Sequence, residues 1–149
     1  MFEKKFVKTM HLYFNAVLRM RQNLRYRVQK KLAEYGRSDV TIEMTQVLYY
    51  IHFIAKDQKT NQQDIADRTG KNKSSVTSLI DNMVKRNLVE RKMSPDDRRS
   101  NIITLTPDGL KFVEEIYDTV YRTYEINKTG ISLEQFQQMT KLMENLMES

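Results

Sequence analysis

The chain has 149 residues, with 25 Lys and Arg against 19 Asp and Glu, and no cysteine. That length fits one domain able to bury a real core. The missing cysteines exclude disulfides, thiolate metal sites and thiol redox sensing, which suits a reducing cytoplasm. The net charge of +6 is unevenly spread: residues 1–37 carry ten basic residues against two acidic, residues 71–101 eight against four, and residues 103–149 four against eight. Two basic zones and an acidic end point to a polyanionic partner, against the plainer reading of solvated charged faces.

The N-terminus, MFEKKFVKTMHLYF, has no long apolar run, so neither a signal peptide nor a membrane span is expected there. A long first helix is expected over residues 4–34, with a stripe of Met10, Phe14, Val17, Leu24, Val28 and Leu32. Tyr35-Gly36 ends it. A second helix fits residues 42–56, capped by Thr41, with Met44, Val47, Leu48, Ile51, Ile54 and Ala55 on one face. A third, short helix opens at TNQQ, where Thr60 and Gln63 have the spacing of a capping box. It runs through Ile65 and Ala66 and stops at Gly70. Asn72 then caps a fourth helix, residues 73–87. Two short helices separated by a tight turn are the skeleton of a helix-turn-helix.

The fourth helix carries two distinct faces. Val76, Leu79, Ile80, Met83 and Val84 lie on one side; Ser74, Ser75, Ser78, Asp81, Asn82 and Lys85 lie on the other. Ser and Asn are poorer helix formers than the Glu and Lys that a merely soluble surface would use. Small hydrogen-bonding side chains allow close approach to a major groove and reach base edges and phosphates. Lys73, Ser74, Ser75, Thr77, Ser78, Asn82 and Lys85 are therefore the candidate DNA contacts of this helix.

Two period-two segments follow, Val89-Glu90-Arg91-Lys92-Met93 and Ile102-Ile103-Thr104-Leu105, around the turn Ser94-Pro95-Asp96-Asp97. This predicts a hairpin with a projecting tip. Asp97, Arg98 and Arg99 occupy that tip. In a helix-turn-helix followed by a hairpin, or winged helix, the tip reaches flanking backbone or minor groove, whose negative potential attracts arginine. Thr106-Pro107 opens a fifth helix as N-cap and N1. Its positions Leu110, Val113, Tyr117, Val120 and Tyr124 form a heptad seam suited to another helix. It ends near residues 127–130. SLEQ, residues 132–135, is a capping box for a last helix bearing Phe136, Met139, Leu142, Met143 and Leu146.

Three of these segments resemble the MarR-type (multiple antibiotic resistance regulator) winged helix-turn-helix transcription factors. TNQQDIADRTG is similar to the family's helix that runs through Ile-Ala to a terminal Gly. NKSSVTSLIDNMVKRNLVER is similar to its recognition helix and exit. DDRRSNIITLTPDG is similar to its wing signature, with Asp97 and Arg99 as the matching pair, Leu105-Thr106 as the closing pair and Gly109 as the helix-start glycine. Asn87 stands where the family often has Gly, and Ser78 and Asn82 stand where basic residues are common. The thiol-sensing branch of the family needs a cysteine that this chain lacks.

The resemblance implies a mainly α fold with a small β-hairpin wing. It divides the chain into one domain over residues 1–149, in which a winged helix-turn-helix (41–106, wing 88–106) is flanked by dimerisation helices (1–37 and 107–149). It also implies a homodimer on a pseudo-palindromic double-stranded DNA operator, with half-sites about 10 bp apart or a multiple of that. The expected function is a cytoplasmic transcriptional repressor released by a small aromatic or amphipathic effector. His11, Tyr13, Phe14, Tyr49 and His52 are the candidate effector-pocket residues; each is also an ordinary core or boundary residue type. The basic cluster from Arg19 to Lys31 fits either phosphate contacts or balance against the acidic C-terminal helices.

The alternative reading is a winged-helix protein-interaction module with weak, non-specific DNA binding. An enzyme is not expected, since no paired carboxylates, nucleophile–base signature or Gly-rich phosphate loop is present. With only His11 and His52 and no ligand-spaced cluster, neither a metal nor a cofactor is expected.

Overall fold

The computed structural model describes residues 2–96 and 101–149. The chain runs α1 (Phe2–Glu34), α2 (Ile42–Tyr49), a π-helical turn (Tyr50–Ile54), a 3-10 turn (Lys56–Gln58), β1 (Lys59–Thr60), α3 (Gln62–Thr69) and α4 (Lys73–Lys85). It continues with β2 (Val89–Met93), β3 (Asn101–Leu105), α5 (Pro107–Tyr121), α6 (Ile126–Thr129) and α7 (Leu133–Glu148). The fold is mainly helical with one small antiparallel sheet of order β1-β3-β2. β2 and β3 form the expected hairpin, in register Val89↔Leu105, Arg91↔Ile103 and Met93↔Asn101.

Local signals explain most boundaries. Thr41 caps α2, Asn72 caps α4 and Thr106 caps α5, each side chain accepting from a first-turn backbone N–H. Ser132 and Gln135 close a full capping box at α7. Gly70 ends α3 at φ 67, the left-handed conformation that opens the tight turn into α4. Asn87 takes the same role after α4 at φ 56, so an asparagine serves where a glycine is usual.

Several boundaries differ from expectation. Thr60 does not cap α3; it belongs to β1 and pairs with Ile103, and Asn61 caps instead, accepting from the Asp64 N–H at 2.8 Å. A two-residue strand has no period to read, so β1 was invisible in the sequence. The second α-helix ends at Tyr49, seven residues short of expectation, because the ladder widens to a π turn and Asp57 and Gln58 take φ of 57 and 55. Val84 lies on the outside of α4.

The core is built by the lower half of α1 (Val28, Leu32), by α2 and the π turn (Met44, Leu48, Ile51) and by α3 (Ile65). It continues through α4 (Ile80, Met83), the hairpin base (Leu88, Val89, Ile103) and α5 (Phe112, Val113, Ile116, Val120). Each fully buried aliphatic side chain contributes about 1.5–3 kcal/mol of transfer free energy. On α5, Phe112 and Ile116 join the seam residues Val113 and Val120 in the core, while Tyr117 stays exposed. The upper part of the α1 stripe behaves differently. Phe14 and Val17 are exposed, together with Leu12 and Leu18. α7 buries no residue at all, and its Leu142, Met143, Leu146 and Met147 face outward.

Candidate nucleic-acid interface

α3 and α4 form a helix-turn-helix, and α4 presents one face outward. Val76, Ile80 and Met83 are buried beneath it, while Lys73, Ser74, Ser75, Ser78, Asn82 and Lys85 are all exposed. Thr77 is only partly exposed. Its hydroxyl accepts from Gln62 Nε2 and donates to the Lys73 carbonyl, each at 3.0 Å, so it braces α3 against α4.

Two charged groups tie the C-terminal half of α4 to its neighbours. Near its C-terminus, Arg86 Nε donates to the Asp39 carbonyl at 2.7 Å, tying α4 to the loop after α1. The Arg37 guanidinium bonded to Asp39 holds that carboxyl below its usual range. On the wing side, Arg91 of β2 reaches Asp81 of α4 at 2.8 Å. A partly exposed pair of this kind is worth little in stability, but it links the wing to α4. Arg91 and Asp81 were not among the expected site residues. The sequence did carry a signal for Arg91, a charged residue on the inward phase of a strand between Val89 and Met93. Asp97, Arg98 and Arg99 lie outside the described residues.

The five candidate effector residues are not gathered within one chain. His11 bonds to Asn15 on the exposed part of α1, and Tyr13 and Phe14 are exposed beside it. Leu24, the first α1 residue packed on the core, is thirteen residues further on, or about 20 Å along the helix. Tyr49 lines a cavity of about 320 Å3 between α2, α3 and α5, together with Tyr50, Ile65, Arg68 and Tyr121. This cavity is strongly aromatic: Tyr49 and Tyr121 lie 4.7 Å apart, and the Arg68 guanidinium sits 3.8 Å from the Tyr50 ring centre. Burial, reinforced by Tyr49, pushes the Tyr121 phenol up to about 12. His52 points elsewhere, with Nε2 3.2 Å from Glu114 of α5 and Nδ1 3.4 Å from the Gln58 amide. Among the described residues, no helix is long and apolar enough to cross a membrane.

A helix-turn-helix with a polar, small-residue outer face, followed by a hairpin tied to it through Arg91 and Asp81, defines a winged-helix protein. Comparison with known proteins narrows the class. Residues 38–100 match the model of the MarR family. The chain is 33% identical over 92 residues to the HTH-type transcriptional regulator YhbI of Bacillus subtilis (strain 168), an alignment covering 60% of this chain and 58% of that protein. The chain thus spans a little over half the length of this relative. The fold is similar to that of AbsC, a MarR family transcriptional regulator from Streptomyces coelicolor (TM-score 0.77, 20% identity, 94% of this chain and 93% of that one). It is also similar to MepR of S. aureus in a DNA complex (TM-score 0.74, 24% identity, 91% and 96%). The match to the MarR family model thus falls on the winged helix-turn-helix, and the fold is that of the MarR-type winged-helix structures.

Proposed function

We propose that the protein is a homodimeric, sequence-specific DNA-binding repressor, released from a pseudo-palindromic operator by a small aromatic or amphipathic effector. The observation that carries the DNA part is the outer face of α4. Six exposed residues there, Lys73, Ser74, Ser75, Ser78, Asn82 and Lys85, are all small, amide-bearing or cationic. Such a face fits a major groove without steric bulk and offers donors and acceptors to base edges. The MepR–DNA complex supports placing a similar winged helix on a duplex. Asp97, Arg98 and Arg99 enter this reading from the sequence alone, as the wing's contacts with backbone or minor groove.

The dimer part rests on the unpartnered apolar faces. The upper half of α1 and the whole of α7 expose Leu12, Phe14, Leu18, Leu142, Leu146 and Met147. Contiguous apolar surface on this scale is characteristic of association. A second copy would cover both faces and bring two α4 helices to one side of the duplex, about 10 bp apart. It would also offer His11, Tyr13 and Phe14 a route to the aromatic cavity of a partner. The effector part rests on that cavity, whose wall includes α5 on one side and α3 on the other. A ligand wedged there would change the angle between the winged helix and the dimer helices. By linkage, DNA would weaken that ligand by the same factor.

Fluorescence anisotropy with the protein's own upstream DNA and a scrambled duplex, across a salt series, tests the reading. Tight, steeply salt-dependent binding that favours the native duplex is the expected result. Weak, salt-insensitive binding to both would instead favour a winged helix directed at protein partners.

A further inference from the structure

Between α3, α4 and the root of the wing lies a polar cleft of about 490 Å3. Lys73 and Arg91 line it, with Gln62 and Asn101, and among the described residues no Asp or Glu is in its walls. Arg91 occupies an unusual position there. It sits opposite Ile103 in the sheet and is anchored through a single nitrogen, Nη1, to Asp81. Its Nε and Nη2 are shielded from solvent and meet no acceptor among the described residues. A buried donor left unmet is costly, and more so when it is charged. Gln62 spends an amide N–H on Thr77, and none of the cleft's neutral oxygens accepts from Arg91 Nε or Nη2 among the described residues. The Nε–Nη2 edge is the side of a guanidinium that matches two oxygens of one phosphate.

We propose that this cleft is a phosphate seat, occupied in the working complex by one backbone phosphodiester where the duplex passes from α4 to the wing. The inference rests on the DNA-binding reading above and adds Arg91 to its contacts. The guanidinium turns about its bond to Asp81, so that the unmet Nε–Nη2 edge faces the anion and Lys73 closes the other side. Because Arg91 belongs to β2 and Asp81 to α4, seating the phosphate also sets the angle between wing and recognition helix. Free inorganic phosphate has the same chemistry and fills the same seat more weakly.

Two measurements test this. The first is the slope of log affinity against log salt on the upstream duplex. One lost phosphate contact lowers the slope by about 1, so Arg91→Gln, which removes one contact from each protomer of the dimer, should lose about 2, and Arg91→Lys, which keeps the charge, should retain it. Asp81→Asn breaks the same ion pair but leaves the guanidinium, so its slope should not fall. An equal fall in Asp81→Asn and Arg91→Gln would overturn the proposal, since the pair would then act only by bracing the wing. An unchanged slope in Arg91→Gln would overturn it while leaving the DNA-binding reading standing. The second measurement needs no DNA: the Arg91 Nε–H resonance of the intact protein is followed as inorganic phosphate is added. A saturable shift, absent when Lys73→Ala is combined with Asn101→Ala, supports the seat even if the DNA reading fails. No shift would overturn it. A shift with no change in slope would overturn the assignment to the DNA backbone.

Discussion

Gly109, in the first turn of α5, lies against the carbonyl of Leu88, and this contact makes a severe substitution test. A Cβ at position 109 would stand 2.0 Å from Leu88 O, 2.9 Å from its C and 3.2 Å from its Cα. A carbon meets a carbonyl oxygen comfortably only at roughly 3.3 Å or beyond, so Gly109→Ala forces α5 and the hairpin base apart by roughly 1 Å. The same carbonyl accepts from the Thr106 N–H at 3.1 Å, and Thr106 Oγ1 donates to the Asn87 carbonyl at 2.6 Å while capping α5. Separation therefore costs overpacking strain of about 1–3 kcal/mol and a hydrogen bond worth about 0.5–1.5 kcal/mol. The better helix propensity of Ala returns up to about 1 kcal/mol. A net loss of about 1–3 kcal/mol follows, read as a lower urea midpoint with unchanged m-value. In a chain of this size it lowers Tm by roughly 2–4 °C for each kcal/mol. Lys111→Ala, exposed on the same helix, should be nearly neutral. A Gly109→Ala protein as stable as its parent would refute the packing described for α5 and the wing root.

Other consequences are open to direct measurement. The Tyr121 phenol, raised to about 12 by burial, should titrate last in absorbance at 295 nm, and Tyr121→Phe should remove that step. Below pH 10 the phenol is neutral in both folded and unfolded chains, but between about 10 and 12 only the unfolded chain ionises it. Its contribution to stability should therefore fall across that window as pH rises. Leu142→Asp combined with Met143→Asp, both exposed on α7, should yield a folded monomer in sedimentation experiments; a persistent dimer would remove α7 from the interface. Ser75→Ala with Ser78→Ala should weaken the preferred duplex by about 1–3 kcal/mol for each lost base contact while changing random-sequence affinity less. Equal losses on both duplexes would reduce this face to a positioning surface.

What was legible in the sequence was whatever repeats or caps. The amphipathic pattern of α4, the hairpin and the caps Thr41, Asn72, Thr106 and Ser132 all followed from periodicity or from a side chain next to its own helix. The Asn87 turn emerged as read, and so did the fourth-helix face apart from Val84, which lies outside. The sequence was silent on β1, whose two residues are set by pairing with β3, and on the π turn, which no local signal marks. Asn61 and Thr60 are both good caps, and the choice between them was made by the sheet that recruits Thr60. The apolar stripe of α1 was visible, but not that only its lower part would meet this chain's own core. Arg91 could have been singled out, because a guanidinium on the inward phase of a strand requires a partner. Its incomplete pairing was beyond reach, since that depends on which side chains three other elements bring to it.

The central claim is that α4 lies in a major groove, and the absence of cysteine allows a direct test of it. Ser78→Cys places one thiol at the middle of the exposed face of α4, where an iron–EDTA reagent can be attached. On the upstream duplex, the account predicts strand scission centred on two major-groove positions about 10 bp apart, or a multiple of that, on one face of the helix. Scission spread evenly along the duplex, or none despite binding, would contradict it.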